Sequence, residues 1–358
     1  MKKILVMLFL MLFPVFTNAV VVTSKSAILM DEDTGRILYS KGIDDKRLIA
    51  SITKIMTAVL AIESGMLEDK IIVSDEILKA YGSNVYLSVG EEIYLKDLVY
   101  ALMLRSGNDA SLAISTSVTE TTEDFVKLMN EKASKLGMTN TYFCNPNGLD
   151  EKCENISTAR DMATLTRYAN KIPMYKKIVG TKRHIVKTSL KTYDWYNKNK
   201  LLSTYKYTTG GKTGFTEKAR RTLVTTASKD DLNLIVVTLN DPNDFTTHKN
   251  LYEYGFNNYK KYQILSKKNF KLENKYYDNL YIKNDYYYTL KDSEKDKVSI
   301  KYKLNKINRP KNNEEVGVAV VYLDNTNVKE EKIYIKVKNK LKKERIFKRI
   351  LNIFKSKI

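Results

Sequence analysis

The stretch Ala50-Ser51-Ile52-Thr53-Lys54-Ile55-Met56-Thr57-Ala58-Val59-Leu60 sets a serine and a lysine three residues apart in an apolar segment. Apolar residues continue to Ile62 and fall on nearly every face of a helix, and Gly65 stands where a C-terminal cap would fall. The stretch therefore predicts a buried helix around which the rest of the chain is organised.

Ser51 and Lys54 are separated by one helical turn, and residues i and i+3 have Cβ atoms about 5–6 Å apart, so the two side chains can meet. Apolar burial opposes the charged lysine, and moving its pKa from about 10.4 to about 7–8 corresponds to roughly 4 kcal/mol. We interpret Ser51 as a nucleophile and Lys54 as its base. The alternative is a lysine that reaches solvent beside a serine that only begins the helix. Spacing alone is weak evidence, because Ser203 and Lys206 share it.

The two ends of the chain carry most of its compositional bias. With 358 residues the chain is long enough for two domains. Lys2 and Lys3 precede an apolar run at residues 4–13 and small residues at 17 and 19. This pattern is typical of a secretory signal peptide cut after Ala19, with an uncleaved anchor as the alternative. We expect the mature protein to work outside the cytoplasmic membrane.

Cysteine and histidine are rare. Cys144 and Cys153 lie nine residues apart, and a local disulfide and two free thiols fit this exported chain equally well. Neither His184 nor His248 lies in a zinc motif, and no serine lies in G-x-S-x-G. The sequence therefore predicts no metal site, no cofactor and no Ser-His-Asp triad.

The first half of the chain predicts a hairpin followed by helices. Residues 26–39 predict a β-hairpin around a turn-rich insert at 31–35. Residues 91–118 predict two apolar helices, and the polar turn at 105–108 between them is expected in the core.

The pattern over residues 157–259 predicts a helix, two strands and a final helix. Ser157 is predicted to cap the first helix. Residues 223–227 and 232–239 are predicted to be central strands, and a helix over 245–259 closes the region.

The C-terminal segment predicts a helix lying on a membrane surface. Residues 331–358 hold 11 Lys and Arg against 2 Glu, about half of the chain's net charge of +20. From residue 341 onward, apolar side chains fall on one helical face and cations elsewhere. Each Lys or Arg costs roughly 2.5–3.5 kcal/mol at the bilayer centre but contributes about 1 kcal/mol near an anionic surface. The alternative is a solvated helix packed on its own domain, and nucleic-acid binding is disfavoured for an exported chain.

Three short motifs occur in order along the chain: Ser51-x-x-Lys54, Ser106-x-Asn108 and Lys212-Thr213-Gly214. This is the motif set of class A β-lactamases and penicillin-binding proteins. In this chemistry Ser51 attacks an acyl carbonyl while Lys54 removes its proton, and Ser106 passes the proton to the leaving amine. Asn108 holds the substrate amide and so fixes the angle of attack.

The third motif is expected to bind the end of the substrate. Lys212 and Thr213 present a cation and a hydroxyl to a free carboxylate, and Gly214 lets the strand approach and pair with an extended peptide. The oxyanion is expected between the backbone N–H groups of Ser51 and Phe215, each donor contributing about 2.7–4 kcal/mol.

On these motifs the chain resembles the low-molecular-mass penicillin-binding proteins, which are serine-type D-alanyl-D-alanine carboxypeptidases of peptidase family S11. The resemblance runs over residues 26–260 and also rests on further short matches: Asp31-x-x-Thr34-Gly35, Asn145-Pro146-Asn147-Gly148-Leu149 and Ser157-Thr158-Ala159-Arg160-Asp161. It implies removal of the C-terminal D-alanine from peptidoglycan stem peptides, without a cofactor and with β-lactams as covalent inhibitors.

The resemblance also implies an α/β fold, a β-lactamase/DD-peptidase-like catalytic domain with an antiparallel sheet flanked by helices, followed by a small all-β domain and a C-terminal amphipathic helix. The expected parts are a signal peptide at residues 1–19, the catalytic domain at 20–262, the small β domain at 263–337 and the membrane-surface helix at 338–358. Short alternating runs at 286–290, 297–300 and 317–322 predict the small β domain from the sequence alone.

Two other functions stay open at this point. A class A-like β-lactamase would need a deacylating glutamate, for which Glu151 and Glu154 qualify by position only. A non-catalytic penicillin-binding sensor or scaffold would keep the pocket without turnover. The sequence also departs from the family at Arg220-Arg221, where members often have a glycine after Ala219. The two alternatives are an arginine near the substrate carboxylate and arginines that face solvent, and we favour solvent.

Overall fold

The computed structural model describes residues 20–337. The predicted signal peptide at 1–19 and the predicted amphipathic helix at 338–358 lie outside the described residues. Within 20–337, no helix combines the length and the apolar character needed to cross a bilayer.

The chain forms two compact units. The first comprises the described residues up to Met30 with Ile37–Ala227 and Ile235–Tyr254, and the second comprises Asp31–Arg36, Ser228–Leu234 and the described residues from Gly255 onward. The second unit starts earlier than residue 263 because the strand at Lys260–Leu265 pairs with a later strand of the same unit.

The strands up to residue 240 build one main sheet and several short pairs. In chain order they are β1 (Ser26–Asp31), β2 (Ile37–Lys41), β3 (Arg47–Leu48), β4 (Lys70–Ile72), β5 (Glu92–Tyr94), β6 (Ile156–Ser157), β7 (Arg183–Lys187), β8 (Thr192–Tyr196), β9 (Thr208–Thr216), β10 (Arg220–Lys229) and β11 (Leu232–Leu239). The main sheet has the order β2-β1-β11-β10-β9, which leaves β9 at one edge. The pairs β1–β2 and β9–β10 are antiparallel, and the first of them is the predicted hairpin.

The helices are α1 (Lys54–Glu63), α2 (Leu95–Tyr100), α3 (Asn108–Val118), α4 (Thr122–Lys135), α5 (Ala159–Ala169), α6 (Pro173–Gly180), α7 (Leu201–Thr204) and α8 (Asp244–Asn258). A 3₁₀ turn at Ala50–Thr53 precedes α1, and a π-helical turn at Ala101–Arg105 follows α2. A further 3₁₀ turn lies at Asp75–Lys79.

The core of the first unit is built around α1. Ile52, Ile55, Met56 and Val59 are fully buried, as the all-round apolar pattern predicted. Each buried aliphatic side chain contributes about 1.5–3 kcal/mol of transfer free energy relative to an exposed one. Gly65 follows the helix with φ +80°, a left-handed conformation that glycine adopts without steric cost.

One predicted cap was wrong by one residue. Ser157 belongs to β6, where it pairs with Arg47 of β3, and this extended pairing prevents it from starting a helix. Thr158 is the cap of α5, because its Oγ1 accepts a hydrogen bond from the Asp161 backbone nitrogen at 3.0 Å.

The second unit is an all-β fold with its own core. Its strands are β12 (Lys260–Leu265), β13 (Leu280–Ile282), β14 (Tyr286–Leu290), β15 (Val298–Leu304), β16 (Glu315–Leu323) and β17 (Thr326–Ile335), with a 3₁₀ turn at Asp292–Lys297. A four-stranded sheet has the order β13-β17-β16-β15, and β12 pairs with β14. Val316, Ala319 and Ile333 are fully buried in its core.

Candidate active site

The side chains of Ser51 and Lys54 meet at the start of α1. Ser51 lies in the 3₁₀ turn, Lys54 is the first residue of α1, and Lys54 Nζ lies 3.1 Å from Ser51 Oγ. Ala50, the residue before the serine, has φ +48°, which is unusual for a non-glycine residue and typical of functional sites. The turn therefore presents Ser51 to its lysine one turn along the chain.

The Lys54 amine has two further partners, both acceptors. Nζ lies 2.7 Å from Asn108 Oδ1 and 2.5 Å from the Asn147 carbonyl oxygen. A neutral amine has two N–H donors and one lone pair. When the two acceptors take both hydrogens, the lone pair is left for the Ser51 hydroxyl, which is the arrangement that a general base requires.

The surroundings of Lys54 favour this neutral form. The side chain is fully buried, and burial lowers its pKa well below the usual lysine range. The positive charges of Lys212 and Lys198 lower this pKa further, and the carboxylate of Asp109 acts in the opposite direction.

The second motif lies in a buried turn, as the sequence predicted. Ser106 ends the π-helical turn with φ +64° and is 5% exposed, and Asn108 begins α3. Asn108 bridges two segments, because its Oδ1 accepts from Lys54 while its Nδ2 donates to the Tyr81 carbonyl oxygen at 2.6 Å. In the described part of the chain the Ser106 hydroxyl has no hydrogen bond to Ser51 or Lys54.

The third motif lies on the edge strand β9. Gly214 is directly against the turn that carries Ser51, because a Cβ at this position would lie 3.0 Å from the Ser51 backbone nitrogen and would overlap Thr222 Oγ1. Thr213 is partly buried beside it, and Phe215 is 53% exposed. The free edge of β9 carries backbone groups that an extended peptide can pair with.

Lys212 is buried with its amine close to the neighbouring backbone. Its Nζ donates to the Thr213 carbonyl oxygen at 2.6 Å. Burial, with a smaller contribution from the charge of Lys198, lowers the pKa of Lys212 to about 7. The group can therefore gain a full charge when a carboxylate approaches it.

The segment from Cys144 to Asn155 forms one wall of the site, a role that the sequence did not predict. Cys144 and Cys153 form a disulfide, which decides between the two states that the sequence left open. The segment supplies the Asn147 carbonyl to Lys54, and the Asn-Pro-Asn-Gly turn pattern gives no sign of this contact because the acceptor is a backbone atom. Lys198, which acts on the pKa of Lys54 and Lys212, also lacked a sequence signal.

The two arginines at the end of β9–β10 differ in their surroundings. Arg220 is exposed, has φ +59° and lies 3.2 Å from Glu217. Arg221 lies 2.7 Å from the buried carboxylate of Asp244. Arg220 thus lies in solvent as expected, whereas Arg221 is held by an ion pair.

The two candidate deacylating glutamates do not contact the reacting groups. Glu151 and Glu154 are both exposed, and Glu154 lies 3.4 Å from Lys218. The hydrogen-bond partners of Ser51 and Lys54 in residues 20–337 include neither glutamate, which disfavours a β-lactamase mechanism of the class A type.

Comparison with known proteins identifies relatives for both units. The family model of the D-alanyl-D-alanine carboxypeptidases matches residues 15–243, and that of the penicillin-binding protein 5 C-terminal domain matches residues 256–342. The chain is 36% identical over 220 residues to the D-alanyl-D-alanine carboxypeptidase DacF of Bacillus subtilis, covering 60% of this chain and 56% of that protein.

Two further relatives cover more of their own length. A D-alanyl-D-alanine carboxypeptidase of a Streptomyces species is 32% identical over 248 residues, covering 63% of this chain and 85% of that protein. The crystal structure of penicillin binding protein 5 from Haemophilus influenzae has a TM-score of 0.76 and 25% identity, covering 88% of this chain and 97% of that chain.

Proposed function

Because the chain belongs to the D-alanyl-D-alanine carboxypeptidase family, we propose that it removes the C-terminal D-alanine from peptidoglycan stem peptides through an acyl-enzyme on Ser51. The observation that carries the proposal is the contact set of Lys54: two acceptors for its hydrogens and the Ser51 hydroxyl at 3.1 Å. A buried, neutral amine in this arrangement acts as a base.

In the proposed acylation, Ser51 Oγ attacks the carbonyl carbon between the two D-alanines while Lys54 takes its proton. The backbone N–H groups of Ser51 and Phe215 stabilise the oxyanion. Ser106 passes the proton that Lys54 took from Ser51 to the leaving amine, which restores the neutral Lys54 amine, and free D-alanine departs. Water then hydrolyses the ester on Ser51, with Lys54 again acting as the base.

Substrate binding is proposed to use the edge of β9. The peptide backbone pairs with the strand beside Gly214, while Lys212 and Thr213 bind the C-terminal carboxylate. A carboxylate next to Lys212 raises the pKa of its amine and so charges it, which couples binding to the presence of a free C-terminus. Asn108 orients the substrate amide.

The proposal extends to the parts of the chain. The first unit performs the chemistry as the catalytic domain, and the small β domain, whose first strand begins at Lys260, has a positioning role. A signal peptide at 1–19 exports the protein, and the basic amphipathic helix at 338–358 attaches it to the anionic outer face of the cytoplasmic membrane. β-Lactams acylate Ser51 as covalent inhibitors.

The test uses residues 20–358 and diacetyl-Lys-D-Ala-D-Ala. Wild type is expected to release D-alanine and to retain labelled penicillin, and Ser51→Ala is expected to lose both properties. Ser203→Ala is the matched control, because Ser203 has the same spacing to a lysine but is exposed outside the site. Rapid hydrolysis of penicillin without D-alanine release would indicate a β-lactamase, and stable labelling without release would indicate a sensor.

A further inference from the structure

The Cys144–Cys153 disulfide closes the segment that contacts Lys54. Asn147, whose carbonyl oxygen accepts from Lys54 Nζ, lies between the two cysteines. Pro146 in the same segment accepts a hydrogen bond from Thr57 Oγ1 of α1 at 2.6 Å. The backbone at 146–147 therefore lies along the same helix face as the base.

The segment also packs on the turn that carries the nucleophile. Gly148 has φ +88°, and a Cβ on it would overlap the Ala50 carbonyl oxygen and lie 3.0 Å from the Ser51 backbone nitrogen. No room is left between this backbone and the Ser51 turn. A small displacement of the segment consequently changes the surroundings of Ser51 and Lys54 together.

Hydrogen bonds from two asparagines hold one side of the segment. Asn145 Oδ1 accepts from the Gly148 nitrogen at 2.6 Å. Asn155 Oδ1 accepts from the Cys144 nitrogen at 2.7 Å, and its Nδ2 donates to Thr53 Oγ1 at 3.0 Å. These bonds hold residues 144–148 and Asn155 near α1.

The other side of the segment depends on fewer contacts. Glu151 and Lys152 are exposed, and Cys153 is partly exposed. Asp150 is buried: its carboxylate accepts a hydrogen bond from Thr216 Oγ1, and its carbonyl oxygen accepts one from Lys218 Nζ at 2.9 Å. Between residues 149–153 and the anchored residues 144–147, Asn145 Nδ2 donates to the Leu149 carbonyl oxygen at 2.8 Å, and the disulfide adds the covalent link.

We propose that the Cys144–Cys153 disulfide is a redox-sensitive positioning element, which keeps the Asn147 carbonyl on Lys54 and so keeps the lone pair of the base directed at Ser51. The inference rests on the proposed function and deepens it. The two cysteines act through Asn147 and touch no substrate.

Reduction requires a dithiol reductant. The reductant delivers two electrons and two protons, the S–S bond breaks, Cys144 and Cys153 become thiols, and the dithiol becomes a disulfide. Both cysteines are partly exposed, so a small dithiol can reach the bond. Residues 149–153 then become less constrained. Displacements of catalytic groups near 1 Å are enough to reduce turnover substantially.

The charged groups that act on Lys54 predict how the pH profile responds. Lys212 and Lys198 lower its pKa, and Asp109 raises it, but burial is the largest cause of its lowered value. A loosened segment admits water and weakens the effect of burial, so the pKa of Lys54 rises and the acid limb of kcat moves to higher pH.

The experiment compares disulfide-bonded wild type, wild type reduced with dithiothreitol, and Cys144→Ser/Cys153→Ser with and without dithiothreitol. D-Alanine release is measured as a function of pH, at a temperature below the unfolding midpoint of each form. Thiol titration reports whether the disulfide is open, and near-UV circular dichroism reports whether the fold is kept. We expect reduction and the double substitution to lower kcat at least fivefold, to change KM less than twofold and to move the acid limb upward. Reoxidation should restore the kcat and pH profile of the wild-type protein, and dithiothreitol should change neither property in the double variant.

Two results would overturn the inference. The first is an unchanged kcat and pH profile in protein with two free thiols. The second is loss of the near-UV circular dichroism signal together with activity, because the disulfide would then stabilise the whole fold and not the site in particular. If disulfide-bonded wild type releases no D-alanine, the proposed function fails instead, and the two failures are thus distinguishable.

Discussion

Gly214 packs against the backbone nitrogen of Ser51, so the strand that carries the third motif touches the turn that carries the nucleophile. This approach closes the proposed oxyanion site and leaves no volume for a side chain. Gly214 is also packed closely against Thr222, its partner on the neighbouring strand β10.

Gly214→Ala should therefore impair both stability and catalysis. The added methyl group overlaps Thr222 Oγ1, and overpacking of this kind costs about 1–3 kcal/mol. We expect a lower denaturant midpoint and a loss of about 100-fold in kcat/KM. Thr222→Ala alone should also destabilise, because it removes the hydrogen bond from Thr222 Oγ1 to the Ile49 carbonyl oxygen at 2.9 Å. The double variant Gly214→Ala/Thr222→Ala should lose less stability than the sum of the two single variants, but its activity should not recover because the methyl group still faces Ser51. Recovery of activity in the double variant would contradict this explanation.

The pH profile of kcat/KM should be bell-shaped, with its acid limb set by the pKa of Lys54 and its alkaline limb by the pKa of Lys212. Lys54 must be neutral to act as a base, so activity rises with pH through its lowered pKa. Lys212 must be charged to bind a carboxylate, and its pKa of about 7 in the free enzyme predicts that kcat/KM falls above this pH. A flat profile between pH 7 and 9 would contradict the role of Lys212.

Lys198→Met should move both limbs to higher pH. Removing this positive charge favours the charged forms of Lys54 and Lys212, so both pKa values rise. Lys198 is exposed, so the shift should shrink in 1 M salt, where the Debye length is about 3 Å. Lys200→Met, an exposed neighbour, is the control and should leave the profile unchanged.

Arg220→Gly should stabilise the protein. Arg220 has φ +59°, and the left-handed conformation costs a non-glycine residue about 1–2 kcal/mol. The extra freedom of glycine in the unfolded chain offsets about 0.4–1 kcal/mol of this, so we expect a net gain of about 0.5–1 kcal/mol in denaturant unfolding. Arg221→Gly should destabilise, because it removes the partner of buried Asp244.

His248 should make the first unit sensitive to acid. It is fully buried between Thr225 and Thr238, with hydroxyl oxygens 2.6 and 3.0 Å from its ring nitrogens, and burial lowers its pKa from 6.5 to about 3. The unfolded chain therefore binds a proton that the folded chain does not. The associated stability is complete above pH 6.5 and is lost as the pH falls from 6.5 towards 3, in total on the order of 5 kcal/mol.

Unfolding of wild type and His248→Gln by denaturant, at pH values from 7 to 4, measures this effect. The variant should lose stability less steeply with falling pH than wild type. Equal pH dependence in wild type and His248→Gln would rule out His248 as the cause.

The sequence was sufficient for the parts of the site that are side chains at fixed spacing. The all-round apolar pattern around Lys54 predicted its burial, and the turn at Ser106 and Asn108 was predicted inside the core because it interrupts two apolar helices. The antiparallel sheet followed from a resemblance carried by short motifs, and the all-β second unit followed from short alternating runs in residues 263–337. These features are local in sequence, so one chain is enough to infer them.

Other parts of the site depend on contacts between distant segments. The Asn147 carbonyl belongs to the backbone, and a turn motif does not indicate which group its carbonyl faces. Lys198 acts through space on two other lysines. Ser157 failed as a cap because its pairing with Arg47 is a tertiary contact that local propensity does not contain.

The position of β9 at the margin of the main sheet has a cost for the protein as a whole. An edge strand that pairs with a peptide, as proposed for β9, cannot be covered permanently. Of the usual protections of an edge strand, β9 has a bulge at Thr209 and an inward charge at Lys212, but neither falls at Gly214, where the peptide is proposed to pair. Residues near Gly214 are therefore where unwanted association with other extended chains is most readily nucleated. Selection for turnover and selection against aggregation act there on the same few backbone groups.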